Sequence, residues 1–186
     1  MWLEYFPQPF VYGIDIKLNE KGDRHLISGV DQSKKDQLDH FAQNIVEHKI
    51  FFIIDDGSHI PEHQILTFNI FFRDILLPGG IYVIEDIETS YWKRGGLYGY
   101  NTRYGINTAN SAIETFKKII DYVNNEYLSE TDRKRLISSF SGKFSVETLE
   151  LIQSISFGAN NIVITKKTEE ETENFKTRKY RFDHNV

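Results

Sequence analysis

Two short acidic runs hold the side chains of this sequence best placed to do chemistry together. Asp55 and Asp56 open the run DDGSH, which ends on His59, and Glu85 and Asp86 close the run IYVIED. Carboxylates brought onto one rim repel one another, so either some keep a proton or a cation sits among them. An all-oxygen set of this kind suits Mg²⁺ or a similar hard ion. His59 adds an imidazole, whose unperturbed pKa of about 6.5 lets it exchange a proton near neutral pH. A blander reading uses the same residues: one acid caps a helix, the others are solvated strand ends, and the histidine only packs or caps.

The segments between and around these runs decide whether they meet. Residues 50–54 are an apolar run that reads as a strand ending at Asp55-Asp56-Gly57. Ile65, Phe68, Phe72 and Ile75 then recur at steps of three, four and three, the period of one apolar helix stripe. Pro78-Gly79-Gly80 reads as the turn that stops this helix, and residues 81–84 as a second strand ending at Glu85-Asp86. A strand–helix–strand unit of this length is a right-handed crossover between parallel strands. Both acidic runs then share the carboxyl edge of a sheet, about 4.8 Å apart if the strands are neighbours. In open α/β sheets ligands bind at that edge.

The rest of the chain supplies further strands and helices. Residues 2–6 read as the last turn of a helix closed by Pro7, and residues 10–16 as a buried strand carrying Asp15 at its carboxyl end. An acid there can accept hydrogen bonds from both ribose hydroxyls of a nucleotide-like cofactor, or can simply cap its own turn. Residues 17–23 form a polar loop and residues 25–30 a short strand, followed by Asp31-Gln32-Ser33. Ser33 with Asp36 resembles a capping box for a helix whose face carries Leu38, Phe41 and Ile45. Residues 87–106 are rich in Gly, Tyr and Arg and read as a long loop over the scaffold. Tyr91, Trp92, Tyr98, Tyr100 and Tyr104 there could stack on a sugar or pack a lid. A helix beginning at Asn107 or Thr108 follows, its stripe formed by Ala109, Ile113, Phe116, Ile120, Val123 and Tyr127. Ser129 with Asp132 reads as a helix cap. Residues 149–157 and 161–165 read as two strands joined by the turn Gly158-Ala159-Asn160.

The motifs DDGSH, then PGGIYVIED, then Tyr91-Trp92 resemble the core of metal-dependent, class I S-adenosylmethionine methyltransferases. The similarity is greatest to macrolide-sugar O-methyltransferases of the mycinamicin and macrocin type, with cephalosporin hydroxylase-like and rhamnosyl O-methyltransferase proteins as relatives. It spans about Trp2 to Lys166. The resemblance implies an α/β, Rossmann-like three-layer sandwich, with a mostly parallel sheet ending in an antiparallel strand pair. It implies S-adenosylmethionine and Mg²⁺ or a similar divalent cation as cofactors. It places Asp15 on the cofactor ribose, Asp31 and Gln32 on the adenine side, and Asp55 facing the cofactor. Asp56, Glu85 and Asp86 match the metal-binding carboxylates, and His59 matches the general base that takes the proton of a sugar hydroxyl. Tyr91 and Trp92 are the substrate candidates, and the acceptor is a sugar or sugar-bearing metabolite. His63, one turn on, is given a structural role. The first strand of that fold and its Gly-rich loop have no counterpart here. In that topology the strand lies mid-sheet, so its absence leaves a gap. Either direct pairing of the flanking strands or another chain would close it.

Composition narrows the alternatives. The 186 residues are enough for one core. They divide into a domain at 1–166 and a charged tail at 167–186. A net charge of −5 argues against a general nucleic-acid binder. The chain has no cysteine, which removes disulfides and thiolate metal sites. No apolar run reaches membrane-span length, and the N-terminus lacks the pattern of a signal peptide, so a cytoplasmic location and a small-molecule hydroxyl acceptor are expected, with a homo-oligomer open. Two rival readings stand beside the methyltransferase. One is a non-catalytic relative that cannot hold the cofactor. The other is a metal-dependent hydrolase, limited to water activation because neither a G-x-S-x-G elbow nor a P-loop is present.

Overall fold

The computed structural model describes residues 2–47, 50–94 and 101–178. A single helical turn, α1 (Trp2–Tyr5), precedes strand β1 (Val11–Asp15), the two-residue β2 (Glu20–Lys21) and β3 (His25–Gly29). Helix α2 (Lys35–His40) runs into a π-helical turn over Phe41–Ile45, and β4 (Ile50–Asp55), α3 (Pro61–Asp74) and β5 (Leu76–Glu85) form the expected crossover. A 3₁₀ turn at Ile87–Tyr91 leads toward α4 (Ala112–Val123), α5 (Glu130–Ser139) and α6 (Val146–Glu150). The hairpin of β6 (Ile152–Gly158) and β7 (Asn161–Lys166) and helix α7 (Glu169–Arg178) complete the order.

The strands form two sheets. One has the order β1-β3-β2, with β1 and β3 parallel, and the other has the order β4-β5-β7-β6, with β4 and β5 parallel. β7 lies antiparallel to both β5 and β6, the terminal pair expected. β1 and β4 do not pair, so the gap anticipated between them is not closed by backbone. The consequence is visible in exposure. β1 was expected to be a buried strand but is only half-buried along its length, and Phe51 and Phe52 of β4 are exposed. A strand with no neighbour on one edge leaves its side chains reachable by water on that side.

The core lies where the helices cover the four-stranded sheet. Side chains alternate along a strand, and the buried set of β5 and β7 includes Tyr82, Ile84, Ile162 and Ile164. Phe68 of α3 meets this face, edge-on to Tyr82 at 5.2 Å and to Phe116 of α4 at 5.1 Å between ring centroids. Ile65, Phe68, Phe72 and Ile75 are all buried, as their spacing requires.

Several boundaries differ from expectation, each for a local reason. Pro78-Gly79-Gly80 does not precede β5 but lies inside it. The pairing jumps from Ile50–Leu76 to Phe52–Ile81, so these residues form a bulge, with Gly79 at φ +75°. Ser33 does not cap α2; it donates to Asp31 instead, and Lys34 stands at the helix start without a side-chain cap. α4 begins after Ser111, whose Oγ accepts from Glu114 N, and its buried face is Ala112, Ile113, Thr115, Phe116, Ile119 and Tyr122. Ile120 and Tyr127 of the expected stripe are exposed. Residues 149 and 150, expected to open a strand, instead end helix α6, whose start Ser145 caps by accepting from Thr148 N, and β6 begins only at Ile152. Ser129 caps α5 through Asp132 N as predicted. The expected charged tail begins with α7, while residues 179–186 lie outside the described residues.

Candidate functional site

β4 and β5 are adjacent and parallel, with Asp55 opposite Ile84, so both acidic runs emerge at the same edge. Asp56 and Asp86 are the first residues beyond the two strands. Facing atoms of Asp56, His59 and Asp86 lie within 4.8 Å of one another. His59 Nε2 is 3.7 Å from Asp86 Oδ2 and 4.0 Å from Asp56 Oδ1. These separations exceed a hydrogen bond. Asp56 is exposed and Asp86 partly so, which leaves water access to the carboxylates.

Backbone strain sets this geometry. His59 and Asp86 both adopt left-handed φ, at 53° and 49°. That region costs a non-glycine residue about 1–2 kcal/mol and persists only where the surroundings impose it. Buried Thr89 donates to the His59 carbonyl at 2.5 Å, and Gln64 Nε2, fully buried on α3, donates to the Glu85 carbonyl at 3.0 Å. Asn160, from the β6–β7 turn, donates to Asp86 Oδ1 at 2.8 Å and accepts from Glu88 N at 3.0 Å. None of these three stands out in the sequence; Asn160 is visible there only as part of a turn signal.

The other candidates divide. Glu85 does not enter the cluster of facing atoms. Asp55 is buried inside the rim. Its Oδ1 accepts from Gln32 Nε2 at 2.7 Å and its Oδ2 from the Tyr82 hydroxyl at 3.2 Å. Burial pushes its carboxyl up to about 6, against the opposing pull of these hydrogen bonds and of the Gly57 amide. Gln32 also accepts from Ser58 N at 2.8 Å, so both ends of its amide are engaged within the protein. Asp15 Oδ1 accepts from Lys17 N and Leu18 N, and these bonds hold its carboxyl below the usual range. Asp31 Oδ1 accepts from Ser33 N and Oγ, with the same effect. Both aspartates thus cap local turns through one oxygen. For Asp15, Oδ2 accepts no hydrogen bond among the described residues, which leaves an oxygen for a hydroxyl ligand. His63 meets Ser58 Oγ at 2.8 Å through Nδ1, and burial lowers its pKa.

Beside Asp86 opens a cleft of about 620 Å³, walled by Ile87, Tyr91, Ile113, Ile120 and Phe157, with Glu88, Lys117 and Asn160 at its polar side. Tyr91 is therefore part of a ligand-sized recess. Trp92 is not among its walls; its carbonyl accepts from Tyr104 N at 2.6 Å. Tyr104 donates to the Glu62 carboxylate. Tyr98 and Tyr100 lie outside the described residues.

The donor set suits a hard divalent cation. Mg²⁺ binds through one or two protein carboxylates and keeps several waters, and Asp56 and Asp86 offer two such groups facing solvent. An imidazole nitrogen is a poorer ligand than a carboxylate for so hard an ion.

No protein-family model matches the chain. It is 36% identical over 137 residues to the 8-demethyl-8-alpha-L-rhamnosyl tetracenomycin-C 2'-O-methyltransferase of Streptomyces olivaceus, covering 72% of this chain and 34% of that protein. It is 36% identical over 127 residues to the L-olivosyl-oleandolide 3-O-methyltransferase of Streptomyces antibioticus, covering 68% of this chain and 32% of that protein. The chain thus spans about a third of the length of the curated relatives it matches. Among solved structures, the MycE methyltransferase from the mycinamycin biosynthetic pathway in complex with Mg and SAH superposes with a TM-score of 0.69 at 25% identity. That match covers 91% of this chain and 40% of the other. The architecture is therefore the Rossmann-like α/β fold of these methyltransferases, with parallel and antiparallel pairs in each sheet.

Proposed function

We propose that this chain, a homologue of sugar O-methyltransferases over 72% of its length, carries the cofactor and metal half of a methyl transfer from S-adenosylmethionine to a hydroxyl of a sugar-bearing metabolite. The observation that carries this reading is the convergence of Asp56, His59 and Asp86 at the shared edge of β4 and β5. Bound S-adenosylmethionine supplies an activated methyl group, and a bound Mg²⁺ polarises the acceptor hydroxyl. Asp56 and Asp86 hold the cation, with Glu85 beside them at the end of β5. His59 Nε2 takes the hydroxyl proton as the acceptor oxygen gains the methyl group. Asp15 binds a ribose hydroxyl through Oδ2, with Asp31 on the adenine side. Gln32 and Asp55 brace the floor between the sheets. Tyr91 and the apolar cleft beside Asp86 receive the acceptor, holding it next to the base. The same reading places the chain in the cytoplasm and gives it neither a nucleic-acid nor a membrane partner; a homo-oligomer is compatible with it.

The separation of β1 from β4 favours one alternative: a relative whose cofactor pocket is incomplete in this chain alone. Calorimetric titration with S-adenosylhomocysteine, with and without Mg²⁺, decides between them. Saturable one-site binding that is lost in Asp15→Ala supports the methyltransferase. A folded chain that binds none leaves the alternative.

A further inference from the structure

Asn160 is remote in sequence from both acidic runs, yet it touches the cation site directly. We propose that it is a positioning residue for Asp86, one that sets the affinity of the site for a divalent cation; the inference rests on the metal-assisted reading above. The antiparallel register pairs Glu85 with Asn161, which brings the next pair outward, Asp86 and Asn160, together just beyond the ladder. The carboxamide is engaged at both ends. Its Nδ2 donates to Asp86 Oδ1 at 2.8 Å, and its Oδ1 accepts from Glu88 N at 3.0 Å. Chemistry fixes this orientation: a carboxylate can only accept and a backbone N–H can only donate, so a flipped amide would face two repulsions. With Oδ1 of Asp86 held by the amide, Oδ2 is the oxygen left on the side of His59, 3.7 Å from Nε2. The backbone of Asp86 is strained at φ 49°, and the bond from Asn160 is one of the contacts that offsets that strain. Asn160 itself sits at φ 60°, a conformation asparagine tolerates better than most residues. The hairpin register thus sets the aim of one carboxylate oxygen. Hydrogen bonds that orient metal-binding carboxylates typically change affinity by 10–100-fold when removed.

The test uses Mn²⁺ as a hard divalent probe, with free ion measured by electron paramagnetic resonance on the whole chain. Asn160→Gly keeps the left-handed turn and deletes the carboxamide. It is expected to weaken Mn²⁺ binding on the order of tenfold while the melting temperature stays near that of the parent. Asn107→Gly, at the other left-handed asparagine (φ 64°), is expected to leave Mn²⁺ affinity unchanged. Should Asn160→Gly fail to fold, Asn160→Ser replaces it, since serine is too short to reach both partners. Parent-like affinity in the folded Asn160 variant overturns the inference and leaves the metal site standing. Absence of Mn²⁺ binding in the parent, or binding that survives in Asp86→Asn, overturns the metal site and this inference together.

Discussion

Asp55 shows how burial and hydrogen bonding compete within one side chain. It sits between two exposed-edge chemistries, next in sequence to Asp56 but pointing inward to Gln32 and Tyr82. Desolvation disfavours its charge more than its three donors favour it, so its pKa rises from 3.8 to about 6. A carboxyl whose folded pKa is raised stabilises the fold most below the unfolded value, and that contribution is lost as pH climbs through the folded value. Here the window runs from about pH 4 to just above pH 6, and the shift corresponds to about 3 kcal/mol at full loss. Asp55→Asn removes the titration. In chelator-treated protein, the parent is expected to lose stability to urea between pH 4.5 and 7 relative to the variant, on the order of 2 kcal/mol. Parallel stability curves across that window would refute the assignment.

At the scale of elements, α3 is held at both ends by residues far away in the sequence. Its amino end follows strained His59, whose carbonyl is tied to Thr89. Its carboxyl end is capped by Lys166 of β7, which is buried and donates from Nζ to the carbonyls of Phe72, Arg73 and Leu76 at 2.7–3.0 Å. A cation at a helix carboxyl end complements both the orphan carbonyls and the dipole. The ammonium also lies 5.7 Å from the Phe72 ring centroid. Lys166→Met keeps the stem and strands two buried acceptors and one partly buried one, so a loss of about 2–4 kcal/mol in urea unfolding is expected. A loss under about 0.5 kcal/mol, the level of an ordinary surface change, would show that water reaches those carbonyls instead.

Across the whole molecule, the two sheets meet through side chains rather than a ladder. Gln32, just past β3, spans from Asp55 at the end of β4 to Ser58 N, and the Tyr12 hydroxyl of β1 accepts from Glu47 N. The three-stranded sheet is therefore docked on the larger one by a handful of polar contacts and by Tyr12 and Ile14 against the core. Gln32→Leu matches the volume but leaves the buried Asp55 carboxylate and Ser58 N–H short of a partner. The expected cost is about 2–3 kcal/mol. Hydrogen exchange should quicken in β1 and β3 before it does in β5 and β7, since the smaller sheet would open as a unit. Uniform loss of protection in all strands would mean that the two sheets unfold as one body.

Sequence alone determined the features that depend on neighbours along the chain. The strand–helix–strand crossover, the stripe through Ile65, Phe68 and Phe72, and the arrival of Asp56, His59 and Asp86 at one sheet edge all follow from periodicity and from the geometry of a parallel crossover. On α4 the stripe read from the sequence put Ile120 and Tyr127 on the packed face, but the face that packs is set by what it packs against. Ile120 therefore lines a cleft instead of the core. The tertiary structure alone decided the rest. Asn160 meets Asp86 across 74 positions only because β7 runs antiparallel to β5 in one register. Lys166 finds the end of α3 for the same reason. A one-residue slip would turn each of these side chains to the opposite face, so no local pattern could announce them.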